Sequence, residues 1–287
     1  MAIQVAKVQE FKGHTQAVYC ISPAESNKFF YSSSADGQIV KWQINTEQGG
    51  LFAKLPHPIF CVFYHENYIY AGTNKGTFYV FDSIHKKLVN EIHLHCGGIF
   101  SIINYKNQII FGGENGHLYF YENDSINSIK ISTKSIRKIL LKNDDLYLAC
   151  SDFNVYIYPL ENKSLETLSG HQNSVFSIAL NNKKLFSGGR DALILVWQKN
   201  ILTHQIKAHL GHINDIQIHT ENNVFATCSM DKTIKLWNLE NHELLKVIDI
   251  EKYETHTSSV NKILWIDKNT LISCSDDRKI IQFNITL

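Results

Sequence analysis

No part of this chain approaches 18 uninterrupted apolar residues, so no membrane-spanning helix is expected. Its start, MAIQVAKVQEF, lacks the basic opening and 7–15-residue apolar run of a signal peptide. Charge of one sign is also missing. Lys and Arg total 28 and Asp and Glu 27, a net charge of +1. That balance argues against a protein whose main work is gripping a phosphate backbone. The six cysteines form no Cys-x-x-Cys pair and read as buried, reduced thiols of a cytoplasmic protein. Only four prolines occur, and helical periodicity is absent over any useful length.

What is present is repetition. SSADGQIVKW (33–42), GGRDALILVW (188–197), CSMDKTIKLW (228–237) and CSDDRKIIQF (274–283) are versions of one phrase. Weaker versions are GTNKGTFYVF (72–81), GGENGHLYFY (112–121) and CSDFNVYIY (150–158). Their closing aromatics, Trp42, Phe81, Tyr121, Tyr158, Trp197, Trp237 and Phe283, are separated by 39, 40, 37, 39, 40 and 46 residues on subtraction. A period near 40 signals stacked supersecondary units. Within a copy the signal is β: SVFSIAL, KKLFSGG and ALILVWQ are short β-branched and aromatic runs broken by turn residues. Four such strands per copy, seven times over, give an all-β radial array of small sheets occupying 1–287 as a single domain.

Polar residues recur with the same period. Asp36, Asp191, Asp231 and Asp277 stand six residues before the aromatic, and Ser32, Ser187, Thr227 and Ser273 four before the Asp. His14, His171, His209 and His256 stand four before the leading strand's first apolar residue; this register selects His209 over His212. His, hydroxyl and Asp together also describe a hydrolase triad, but an active site occurs once and this set recurs four times.

With a Gly-His or variant upstream (KGHTQAV, SGHQNSV, KAHLGHI, ETHTSSV), the pattern resembles the WD-repeat seven-bladed β-propeller over the whole chain. The resemblance implies a structural tetrad in each strong copy: His14, Ser32, Asp36 and Trp42; His171, Ser187, Asp191 and Trp197; His209, Thr227, Asp231 and Trp237; and His256, Ser273 and Asp277 with Phe283. The middle copies depart from it. The second has Ala71 and Lys75, the third His95, Phe111 and Asn115, and the fourth Ser132, Leu148 and Asp152; apolar packing is expected to hold them. It further implies that residues 3–11 supply the fourth strand of the last blade.

Two positions per blade are then expected on the recognition face. One follows the leading strand's first apolar residue: Tyr19, Phe60, Phe100, Arg137, Phe176, Asn214 and Asn261. The other precedes the Asp position: Ala35, Asn74, Glu114, Ser151, Arg190, Met230 and Asp276. Aromatics, Met and Arg are enriched in interface cores; alternatively the phenylalanines plug the channel mouth. Arg137 and Arg190 suit a partner's carboxylate or phosphate, with Glu114 and Asp276 elsewhere on the ring, so a peptide of mixed charge fits this face. The surplus behind the spacing of 46 falls at 250–256, an enlarged loop with Glu251, Lys252, Tyr253 and Glu254 on the same face. His93 and His95 are spaced as a metal pair, but no further ligand is evident. The expectation is a non-enzymatic scaffold without cofactor or metal, monomeric within a complex, for protein or peptide partners. A ligand-binding or enzymatic channel mouth is the alternative, and nucleic-acid binding the least supported.

Overall fold

The computed structural model describes residues 3–181, 183–219 and 221–286. Its strands form seven four-stranded antiparallel sheets, each with the order leading strand, second, third, fourth. The fold is all-β, a seven-bladed β-propeller.

Hairpin chemistry explains the strand spacing. At Glu66–Asn67, Asn123–Asp124, Asn143–Asp144 and Lys199–Asn200 both loop residues have positive φ. That is the primed two-residue turn, whose twist matches that of the flanking strands. Asn and Asp tolerate this conformation best among non-glycine residues.

The chain forms two compact units, residues 1–64 with 209–287 and residues 65–208. In each, second strands such as Phe29–Ser34, Gln108–Gly113 and Val224–Ser229 are buried almost end to end. Fourth strands such as Gly49–Lys54 and Ser125–Lys130 are largely exposed. Both faces of a middle strand are covered by apolar clusters joining successive sheets. In the first unit, Phe11, Val18, Phe30 and Trp42 pack with Ile266, Ile272 and Ile280. In the second, Ile110 and Leu118 pack with Ile136, Ile139, Leu146 and Leu148.

The last sheet draws on both ends of the chain. Gln4–Phe11 pairs antiparallel with Ile280–Thr286, from Gln4 opposite Thr286 to Phe11 opposite Ile280. Phe11 is 2% exposed and contacts Phe30 and Trp42 edge-on, so the strand closes the sheet and seals the adjoining cluster. The expected closing segment 3–11 is therefore present. Removing residues 1–11 exposes a sheet edge and empties the Phe11 site. Losing a buried Phe costs about 3–5 kcal/mol, which lowers the melting temperature by roughly 10 °C or more. A thermal melt of the truncated protein checks this; an unchanged midpoint contradicts it.

Candidate functional site

The repeated polar residues meet as the resemblance implied. In the first blade, Trp42 Nε1 donates to Ser32 Oγ (2.7 Å), and His14 lies 2.7 Å from Ser32 Oγ and 3.0 Å from Asp36 Oδ2. The fifth blade repeats this: Trp197 to Ser187 2.8 Å, His171 to Ser187 2.8 Å and to Asp191 2.8 Å. The sixth uses Thr227: Trp237 at 2.9 Å and His209 at 2.8 Å, with Asp231 2.8 Å from the same histidine. The register thus selects the right histidine, His209. In the seventh, His256 bridges Ser273 (2.8 Å) and Asp277 (3.0 Å), and Phe283 offers no N–H.

The donors run one way. The indole N–H fills one lone pair of the hydroxyl, whose own proton goes to His Nε2; His Nδ1–H then goes to the carboxylate. Each aspartate also accepts a backbone N–H from the residue after its histidine: Thr15 (2.9 Å), Gln172 (3.1 Å), Leu210 (3.0 Å) and Thr257 (2.9 Å). The network therefore ties two loops and two strands in the first, fifth and sixth blades, and two loops and the second strand in the seventh. The four hydroxyl-bearing residues are 0% exposed, so no substrate reaches these oxygens. That arrangement is architectural.

The middle blades use different polar groups. His95 does not take a histidine's place in a network; it is exposed, with φ +50°, and the adjacent Cys96 is buried instead. Asn115 Nδ2 donates to Tyr119 OH at 2.9 Å. In the fourth blade Ser132 Oγ (2.6 Å) and Tyr156 OH (2.7 Å) both donate to Asp152 Oδ2. In the second, Tyr79 OH donates to Glu91 (3.0 Å). Apolar packing is accordingly only part of what holds these blades, although Phe78 does stack on Phe111 at 4.4 Å. All three carry Tyr four residues after the Asp position, where the strong copies have Val40, Leu195, Lys235 and Ile281. That signal was present in the sequence. His93 bonds Thr77 Oγ1 (3.1 Å), and no metal-ligand cluster occurs among the described residues.

The face positions have a structural cause. The ladder breaks register between Val18 and Cys20, Ile99 and Ser101, Ile136 and Lys138, Val175 and Ser177, Ile213 and Asp215, and Val260 and Lys262. Each break is a β-bulge centred on Tyr19, Phe100, Arg137, Phe176, Asn214 or Asn261, and a bulge re-aims its side chain. All six, and Phe60, are half-buried.

In the 65–208 unit the Arg137 guanidinium lies between two rings, 3.9 Å from the Phe100 centroid and 4.8 Å from Phe176. Such stacking uses the planar faces and leaves the N–H edge. Burial pulls the Arg137 pKa down to about 10, opposed by the Glu114 carboxylate. Glu114 Oε2 accepts the Gly98 N–H (2.7 Å). Arg190 is exposed on the same unit.

In the other unit Tyr19 meets Phe60 edge-on at 5.3 Å. Asn214 Nδ2 is committed to Ser259 Oγ and Val260 O (both 2.9 Å). Asn261 Nδ2 is committed to Val18 O (2.9 Å) and Asp276 Oδ1 (2.7 Å). These three polar residues also fasten strands together. Met230 is 53% exposed. Leu210 escaped the sequence argument: it is 98% exposed, at a position where other strong copies carry Thr15, Gln172 and Thr257.

The surplus at 250–256 takes a definite form. It folds into a helical turn, Ile250–Tyr253, capped by Asp249. Tyr253 packs on the cluster touched by Ile3 and Val5, and Glu254 O accepts Lys7 Nζ at 3.0 Å. The loop braces the closing strand.

Splitting the dipeptide Arg190–Asp191 tests this division of labour. Asp191→Ala leaves the His171 Nδ1–H without its acceptor and costs about 3 kcal/mol, roughly 6–12 °C in melting temperature. Arg190→Ala, on the surface, stays within about 0.5 kcal/mol. Equal effects in thermal melts would contradict the assignment. A second test is acid. Burial lowers the pKa of His14 and His209, against the pull of their aspartates. Burial raises the Asp36, Asp191, Asp231 and Asp277 carboxyls, but His and backbone N–H donors outweigh it and hold all four low. In both cases the unfolded chain binds more protons, so stability rises with pH and is lost as pH is lowered. The loss begins below about pH 6.5 with the histidines and continues below about pH 4 with the aspartates. Melting temperatures that stay flat from pH 7 to 3 would refute this.

Comparison with known proteins agrees with this anatomy. The model of the WD40 family (WD domain, G-beta repeat) matches residues 6–43, 162–198, 200–238 and 248–284, which are the four copies with His–hydroxyl–Asp networks. The chain is 23% identical to actin-interacting protein 1 of Caenorhabditis elegans, over 95% of this chain and 47% of that protein. It is 21% identical to the 66 kDa stress protein of Physarum polycephalum, over 96% of this chain and 47% of that one. The chain thus spans about half the length of these curated relatives. Among solved structures, the WD40 beta propeller domain of Doa1 superposes with a TM-score of 0.86 at 17% identity, covering 98% of this chain and 97% of that one. No helix among the described residues is long and apolar enough to cross a membrane. The chain belongs to the WD40 repeat family.

Proposed function

We propose that residues 1–287 act as one non-enzymatic interaction domain that captures a peptide segment of a protein partner. The observation that carries this reading is the Phe100–Arg137–Phe176 stack, three bulge residues from successive blades gathered into one half-buried cluster. Arg and aromatic residues in such settings supply most of an interface's binding energy. The stack holds the guanidinium in place before a partner arrives, so little side-chain entropy remains to be lost on binding. Its free N–H edge and the exposed Arg190 suit a carboxylate on the peptide, while the rings take an apolar side chain.

The burial of the repeated hydroxyls supports a non-enzymatic role. The net charge of +1 favours protein over nucleic acid. The six free cysteines fit a reducing, cytoplasmic setting. The test is a peptide array of mixed charge and hydrophobicity probed with wild type, Phe176→Ala and Arg190→Glu. Each substitution is expected to weaken bound peptides about tenfold or more, with Arg190→Glu leaving the melting temperature unchanged. Peptides held equally by all three proteins would defeat the proposal.

A further inference from the structure

One turn in the 65–208 unit runs against the preference of its own side chain. In the first three blades the residue after the Asp position is Gly37, Gly76 or Gly116, with φ of +76°, +76° and +78°. The fourth blade puts Phe153 there, at φ +79°. A bulky side chain in this left-handed region is strained, and glycine would relieve it. The core does not explain the choice, because Phe153 is 39% exposed. Strain kept at an exposed ring points to a use outside the fold.

The loops around this ring are fastened into one surface. Ser132 Oγ donates to Asp152 Oδ2 at 2.6 Å, and the Ser151 N–H to Ser135 O at 2.9 Å. Ser174 Oγ donates to Ser151 O at 3.1 Å, and the Arg190 N–H to Ser174 O at 2.8 Å. Loops 131–135, 151–153, 170–174 and 190–192 therefore lie side by side. Their exposed side chains include two cations, Lys134 and Arg190, and no carboxylate. Asp152 and Asp191 are half-buried and already accept bonds, from Ser132 and Tyr156 and from His171. Lys134 Nζ stands 5.2 Å from the Phe153 ring centroid, so the exposed ring has a cation against it.

We propose that this surface of the fourth and fifth blades takes an acidic segment of a partner protein. Phe153 receives an apolar side chain of the segment, and Lys134 and Arg190 pair with its carboxylates. The inference rests on the reading of the chain as a peptide-capturing domain and names the chemistry of the captured segment. Two exposed cations are too few to track a phosphate backbone, which favours a protein segment over single-stranded nucleic acid.

The experiment probes two peptide arrays with the 1–287 protein. One array fixes Asp or Glu at alternate positions and varies the rest; the other fixes Lys instead. The wild type is expected to hold acidic peptides that carry Leu, Ile or Phe, more weakly as salt is raised. Phe153→Gly should weaken those peptides about tenfold or more, with a melting temperature equal to or above that of the wild type because the strain is gone. Lys134→Glu combined with Arg190→Glu should turn the preference towards the basic array. Equal or greater binding to the basic array by the wild type, displacement of the acidic peptides by a thymidine oligonucleotide, unchanged binding in Phe153→Gly, or a lowered melting temperature in that variant would each overturn the inference. Acidic peptides lost in Phe176→Ala but kept in Phe153→Gly would overturn it and leave the capture reading standing. No peptide held from either array would overturn both.

Discussion

The structure depends on a hydrogen-bond chain repeated four times: hydroxyl to histidine, histidine to aspartate, and a backbone N–H to the same aspartate, with an indole N–H donating to the hydroxyl in three of the four. Alone, each group is a liability in the interior, because an unpaired buried polar atom costs more than a made hydrogen bond returns. Together they satisfy one another in a single arrangement of strands. Shifting a strand by one residue would turn the hydroxyl outward and leave the indole, imidazole and carboxylate unpartnered. The network therefore selects the register, and the register places the bulge that follows each histidine.

This coupling links architecture to recognition. A bulge in the leading strand turns one residue per blade out of the alternation that buries its neighbours. What stands at that point is free to differ between copies, since the ladder on either side does not depend on it. Arg137 and its flanking phenylalanines use the freedom to build a cation held between rings. Asn214 and Asn261 use it to fasten adjacent strands. One geometric device thus holds a cation between rings in one place and fastens strands in another, according to the side chain it carries.

Much of this was legible in the sequence because it is periodic. The spacing near 40 residues led to the blades, and fixed offsets between His, hydroxyl, Asp and Trp led to each network, including the choice of His209. The illegible parts are those that occur once. The fastening bond of Asn261 was hidden because nothing in its neighbourhood shows that Val18 O lies across a seam 243 residues away in the chain. The helical turn Ile250–Tyr253 was hidden because length alone does not reveal that Tyr253 packs beside Ile3 and Val5. His95 was misplaced by one residue because the third copy lacks the partners that fix the register elsewhere. The tyrosines of the middle blades, by contrast, were periodic and could have been read.

The central claim is that positions shared between copies hold the fold and copy-specific bulge positions recognise a partner. The most direct test is an alanine scan of both sets with two readouts on every variant, melting temperature and affinity for one peptide ligand. The account predicts two separate groups: the four network aspartates lower the melting temperature with affinity retained by the folded fraction, and Phe100, Arg137 and Phe176 lower affinity by larger factors than their stability changes explain. A scan in which the two readouts rise and fall together, residue by residue, would contradict it.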